Sequence, residues 1–325
     1  LRIFARTLVF SALAFSSALS TASAQERLDL WTTIPRWAMG IPDDGIPPPG
    51  PKDAVTKLTI PGSSKSFTQA EIDDGFNTPI WFPETTPAMP DIVAKGRPPT
   101  VRACALCHLT SGLGHPESSS LAGLPVNYFL EQMESFKDGR RTTNLRNMID
   151  LSKVISPEES RAAAEWFAKL KPAPWIKVVE TDTVPHTYVK VGGMRLVKKG
   201  GGTEPLGNRI LEVPEDEVRV ERRDPTAGFL VWVPKGSVAK GKELVETGGD
   251  GKTMACGLCH GKTMKGLGDI PSIAGRSPVY VGRQLFAIQN GARYGGNNAL
   301  MTPVVEKLDE TDIVNISAYL ASLEP

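Results

Sequence analysis

The sequence is short of the residues that build a core from side chains alone. Aromatic residues make up only 7% of its 325 positions, with four cysteines and four histidines. It also lacks an excess of either charge: 37 Lys and Arg face 36 Asp and Glu. That balance excludes the basic face of a nucleic-acid-binding domain, so no nucleic-acid partner is expected. Beyond the N-terminal stretch no apolar run approaches the ~20 residues a membrane span needs, so none is expected in the mature chain. Gly (31) and Pro (27) are plentiful. They promise many loops, and the length suggests about two domains.

Arg2 and Arg6 precede an apolar stretch from Leu8 to Leu19, and Ala22-Ser23-Ala24 offers a small-residue cleavage site before Gln25. This reads as a signal peptide over residues 1–24, cleaved after Ala24, and predicts a periplasmic protein. Four cysteines in an exported chain ordinarily mean two disulfides. Their spacing points elsewhere. Cys104-Ala105-Leu106-Cys107-His108 and Cys256-Gly257-Leu258-Cys259-His260 are both C-x-x-C-H, the c-type haem attachment pattern. Each thiol adds across one vinyl group of the porphyrin, and the next residue presents imidazole to iron. A zinc ribbon expects its cysteine pairs roughly 15–20 residues apart, whereas these pairs lie 152 apart. No βαβ pattern surrounds either pair, which disfavours a thioredoxin-like dithiol. Two covalently bound haem c groups are therefore expected.

The interval of 152 recurs beyond the cysteines. Ala122-Gly123 matches Ala274-Gly275, Tyr128 matches Tyr280, Gln132 matches Gln284, Gly139 matches Gly291 and Arg141 matches Arg293. After one inserted residue Met148 matches Met301, Ala168 matches Ala321 and Leu170 matches Leu323. The chain thus holds two copies of one module. In each copy an apolar helical stripe (Val126, Phe129, Met133, Phe136; Val281, Leu285, Ile288) leads to a Gly-rich loop holding Met148 or Met301. A last helix follows, opened by Ser156-Pro157-Glu158-Glu159 in copy one and capped by Asp309 in copy two. Most methionines fill cores, as Met133 does within its stripe. Met148 and Met301 recur 40 and 41 residues after His108 and His260, which marks them as sixth ligands, since a thioether is a soft donor suited to iron.

With C-x-x-C-H, Leu121-Ala122-Gly123-Leu124-Pro125 or Ile273-Ala274-Gly275, the helix and the Met position, residues 93–171 and 236–325 resemble the di-haem class I c-type cytochromes, in particular the cytochrome c4 kind. The resemblance implies a mainly α fold of two cytochrome c-type haem domains that shuttle electrons in the periplasm. It places the haems on Cys104, Cys107, Cys256 and Cys259, and the irons on His108, Met148, His260 and Met301. Such proteins commonly carry a proline after the proximal histidine whose carbonyl orients the imidazole. Pro271 fits that place, but the aligned residue in copy one is Ser119.

The domain organisation expected is a signal peptide (1–24), an N-terminal arm (25–90), haem domain 1 (91–171), a small β-rich insert (172–235) and haem domain 2 (236–325). Trp31, Ile34 and Trp37 suggest an arm wrapped over domain 1. Pro98-Pro99 stops the first helix of copy one, and residues 67–76, capped by Ser66 or Thr68, are expected to replace it against the helix at 158–170. Strands are predicted at 176–180, 188–191, 209–213, 218–221 and 229–233. His115 and His186 read as ordinary histidines rather than ligands.

Two six-coordinate irons leave no open position for substrate, so electron transfer rather than enzymatic catalysis is expected. The partners expected are a periplasmic dehydrogenase or quinol-oxidising complex as donor and a terminal oxidase as acceptor. The alternative is a di-haem cytochrome c peroxidase, which needs one releasable ligand and acid–base groups on that side. A methionine at the same place in both copies argues against it.

Overall fold

The computed structural model describes residues 29–143 and 147–325; the leader expected at 1–24 lies outside them. The arm opens with two 3-10 turns, Leu30–Thr33 and Arg36–Ala38, that bury Trp31 and Trp37. These residues join the core of the second copy, not the first. The reason lies in one position of the repeat. Gly282 faces Trp37, and a Cβ there would sit 2.7 Å from the indole; copy one carries Leu130 at the matching place. Only the second copy has a notch for the ring. Trp37 Nε1 then donates to Glu310 Oε1 at 2.8 Å, and Trp31 Nε1 donates to Thr142 Oγ1 at 2.9 Å.

Helix α1 (Gln69–Ile72) is capped by Thr68, with Glu71 closing a capping box. It belongs to a small cluster of Ile60, Ile72 and Trp81. The segment that meets the closing helix of copy one is a different one, α2 (Asp91–Ala94), which buries Ile92 and Val93. Copy one therefore keeps a first helix, cut to one turn where Gly96 takes a positive φ of 65°. It continues through α3 (Cys104–His108), α4 (Val126–Lys137), α5 (Asn147–Val154) and α6 (Pro157–Ala168). Phe129, Met133, Ala163, Trp166 and Phe167 form its core.

The segment between the copies forms β1 (Ile176–Glu180), β2 (Thr183–Pro185), β3 (Thr187–Val189), β4 (Arg195–Val197), β5 (Thr203–Pro205), β6 (Leu211–Pro214), helix α7 (Glu217–Glu221) and β7 (Phe229–Val233). β7 pairs parallel with β1 and antiparallel with β6, while β2–β5 and β3–β4 are separate antiparallel pairs. Residues 218–221, read as a strand, are helical instead. The Asp216 carboxylate accepts from the Val218 and Arg219 amides and starts the turn, so a local cap overrides an alternating pattern.

Copy two comprises α8 (Ser237–Thr247), α9 (Gly257–His260), α10 (Pro278–Gln289), a 3-10 turn (Gly296–Met301), α11 (Thr302–Val305) and α12 (Glu310–Ser322). α8 crosses α12 at Gly241, where a Cβ would lie 1.9 Å from the Asn315 carbonyl; only glycine permits that approach. Arg283 of α10 reaches back to copy one and pairs with Glu117 at 2.9 Å, both side chains buried.

Glu212 of β6 is buried against the start of α10. Ser277 Oγ donates to its Oε2 at 2.6 Å, while Oε1 has no hydrogen-bond partner. Burial pushes this carboxyl up from 4.5 to about 7, against the Ser277 and Val279 hydrogen bonds. A carboxyl raised in the folded state contributes stability that is full below its unfolded pKa and lost as pH rises through the folded one. Thermal unfolding should therefore show stability falling between pH 5 and pH 8 by up to roughly 3 kcal/mol. Glu212→Gln should flatten that slope; an unchanged slope would show that Glu212 is not its source.

Candidate haem-binding sites

Each C-x-x-C-H segment forms a single helical turn, which puts its two thiols on one side, three residues apart. Burial pushes the Cys104 thiol up to about 12 and Cys256 up to about 11. A catalytic dithiol needs the opposite shift, toward thiolate. His108 Nδ1 donates to the Ser119 carbonyl at 2.8 Å, and His260 Nδ1 donates to the Pro271 carbonyl at 2.8 Å. A carbonyl only accepts, so each Nδ1 carries the proton and each Nε2 keeps its lone pair. Serine thus serves in copy one where copy two has proline, because the contact uses the backbone alone. Burial lowers the pKa of both rings, favouring the neutral imidazole.

Met148 and Met301 stand at helix starts rather than within loops. Met148 is the second residue of α5, and Met301 ends the 3-10 turn and caps α11. Residues 144–146, just before Met148, lie outside the described ones. Met148 packs against the core of copy one and Met301 against that of copy two. All four cysteines, both motif histidines and both methionines line one cavity of 1760 Å³. Single-ligand pockets measure roughly 300–1,000 Å³, so the space suits two porphyrins rather than one.

The wall between the copies carries a feature that sequence reasoning left without a role. Arg141 Nη1 donates to Gln132 Oε1 at 2.8 Å, and its Nη2 to Tyr280 Oη at 2.8 Å and Gln284 Oε1 at 3.1 Å. Arg293 mirrors it: Nη2 donates to Tyr128 Oη and Gln132 Oε1, both at 3.0 Å, and Nη1 to Gln284 Oε1 at 3.1 Å. Each arginine therefore binds the tyrosine of the other copy. Arg276 lines the same cavity and donates to the Ser120 and Ser272 carbonyls. Burial raises the Tyr280 pKa, yet the guanidiniums of Arg141, Arg293 and Arg276 together bring it down to about 8.

None of these three guanidiniums forms an ion pair among the described residues. Arg293 Nε has no hydrogen-bond partner. Buried cations without counter-charge are costly, and the propionates of haem are anions of the right sign. The residues present therefore fit the group that the cysteine motifs imply. The signal was available in the repeat, which matches Tyr128 with Tyr280, Gln132 with Gln284 and Arg141 with Arg293. His115 lines the same cavity, and His186 lies in the insert. His115 Nδ1 accepts from the Glu117 amide, and burial pushes its pKa down to about 3. His186 lies 3.3 Å from Glu204 near the surface.

No family model matches the chain. It is 32% identical over 224 residues to cytochrome c-552 of Acidithiobacillus ferridurans, which spans 68% of this chain and 73% of the relative. It is 25% identical over 225 residues to cytochrome c4 of Pseudomonas aeruginosa, spanning 68% and 83%. A thiosulfate dehydrogenase electron acceptor from Thiomonas intermedia is 25% identical over 230 residues, spanning 69% and 80%. A solved thiosulfate dehydrogenase from Marichromatium purpuratum is 25% identical over 70% of this chain with a TM-score of 0.49; the chain spans 38% of that longer one.

Proposed function

The chain belongs to the di-haem c-type cytochromes, and from that membership we propose that it is a periplasmic electron carrier holding one haem in each copy of its repeat. Cys104 and Cys107 tether one haem, and Cys256 and Cys259 the other. His108 and His260 offer Nε2 to iron, and Met148 and Met301 offer their thioethers. The haem domains are residues 91–171 and 236–325, bridged by 172–235. When bound, haem supplies a one-electron couple whose potential His/Met ligation raises.

The chain's own residues do the rest. The Ser119 and Pro271 carbonyls keep the proton on Nδ1 and aim each ring. Arg141, Arg276 and Arg293 line the cavity with positive charge, which would suit the acidic groups of bound haem. Met148 and Met301 would hold haem iron through their thioethers and leave no place there for water or substrate, so both copies would act as carriers.

The observation that carries this reading is the convergence of both C-x-x-C-H turns, both oriented histidines and both methionines on one cavity. One relative is named a thiosulfate dehydrogenase electron acceptor, which supports a periplasmic dehydrogenase as donor here; a terminal oxidase is a suitable acceptor. Haem content is expected to be two per chain, and a thiosulfate dehydrogenase with thiosulfate should reduce both. A chain carrying fewer than two haems would sink the site assignment. A fully loaded chain that stays oxidised would sink the donor.

A further inference from the structure

The two C-x-x-C-H turns are alike in sequence but not in surroundings. Leu106 and Leu258 occupy the same motif position, yet Leu106 is 4% exposed and Leu258 is 69% exposed. Cys107 is half-buried and Cys259 is exposed. The cover over the first turn is this chain's own arm and insert, joined at Arg223. Arg223 Nη1 donates to the Leu106 carbonyl at 2.8 Å, Nε to the Ile72 carbonyl at 3.1 Å and Nη2 to Asp73 Oδ1 at 2.9 Å. Beside it the Ala103 amide donates to the Gly75 carbonyl at 2.9 Å.

Arg223 is held at φ 53°, a left-handed conformation that non-glycine residues rarely adopt. Backbone strain of this kind persists where surrounding contacts over-determine it, and here three hydrogen bonds from one guanidinium do so. Among the described residues no comparable clamp lies over the second turn. Its neighbours Met254 and Leu300 are exposed as well, at 48% and 71%.

We propose that the second copy is the port through which this protein exchanges electrons with its partners, and that the Arg223 clamp seals the first copy so that its haem is reached only through the second. This rests on the di-haem reading above. The crossed Tyr128–Arg293 and Tyr280–Arg141 contacts join the two copies behind the seal. The partner at the port is a redox protein with an apolar contact patch bordered by carboxylates. Met254, Leu258 and Leu300, which also line the haem cavity, form the apolar ground, and Lys262 and Lys265, exposed and without an ion pair among the described residues, flank it. Such transient redox contacts are small.

The test uses reduced holoprotein and hexacyanoferrate(III), a small anionic oxidant. Each event moves one electron from ferrous haem to the oxidant, giving ferric haem and hexacyanoferrate(II), with no bond or proton changed. Freeze-quench EPR separates the haems, with signals assigned through Met148→His. Oxidation in the second copy should rise linearly with oxidant concentration, and oxidation in the first should reach a ceiling. Arg223→Ala with Asp73→Ala should remove the ceiling. At oxidant concentrations below that ceiling, Leu258→Glu, which repels the probe at the port, should slow both copies by one factor. A first copy that responds linearly at all concentrations in the unmodified protein, or a Leu258→Glu variant slowed below the ceiling in the second copy alone, overturns the proposal. Haem content and the methionine absorption band are measured first. Failure there counts against the di-haem reading and not against the port.

Discussion

Replacing Met301 by Ala is expected to remove the weak red sulfur-to-iron absorption from the second haem while the first keeps its own, so that the band falls by about half. Met148→Ala should do the reverse. The thioether is a neutral, soft donor that favours ferrous iron, so losing it should also lower the potential of that haem alone. The fall should be a sizeable part of the roughly 0.8 V that axial ligands span. Truncation also removes volume from a core, since Met148 and Met301 pack against the two clusters. Methionine to alanine in a core costs about 2–5 kcal/mol, with the lower end suited to these half-buried sites. Met→Leu separates the two effects, because it keeps the apolar bulk and loses only the sulfur. A Leu variant with an unshifted spectrum and potential would remove Met148 or Met301 from the ligand set.

The second large effect is on folding. The chain with Cys256→Ser and Cys259→Ser should lose the covalent haem of the second copy, and that copy should not pack without it. The cavity measures 1760 Å³, and buried empty space costs about 24 cal/mol per Å³. If only a tenth of it stayed dry, the penalty would be about 4 kcal/mol, against a net stability of roughly 5–15 kcal/mol for a whole domain. Arg141, Arg276 and Arg293 would at the same time lose part of the counter-charge proposed for them in that space. Circular dichroism should show reduced helix content, and limited proteolysis should cut first within residues 236–325. Native-like protease resistance in this variant would show that side chains alone sustain the second core. The thin aromatic supply, 7% of the chain, argues that they do not.

The chemistry of the sites was legible because it is written in short spacings. C-x-x-C-H needs only five consecutive residues, and the repeat interval then marked Met148 and Met301 as candidates, which line the same cavity as both motifs. The helices of both copies were legible for a related reason: caps such as Ser156 with Glu159 and Asp309 with Asp312 are local, and so are apolar stripes. Strands β1 and β7 fell within their expected positions. The three-residue strands β2, β4 and β5 were not visible, since pairs that short carry no alternation to read. The methionines' setting was also misread. A loop was expected, but each stands where a helical turn begins.

What the sequence by itself determined is the pattern of the candidate sites: two C-x-x-C-H motifs consistent with haem attachment, the recurring methionines and the twofold repeat. Each depends on residues close in sequence or matched at one interval. Tertiary structure decided how the copies differ. It sent Trp37 to the notch at Gly282 in the second copy, although the same arm begins far from either copy in sequence. It set Arg141 on Tyr280 and Arg293 on Tyr128, turning a matched pair of positions into one crossed contact. It also laid Arg223 over Leu106 and left Leu258 open. These outcomes depend on which surfaces meet, and distant segments meet according to shape and charge that no local spacing records.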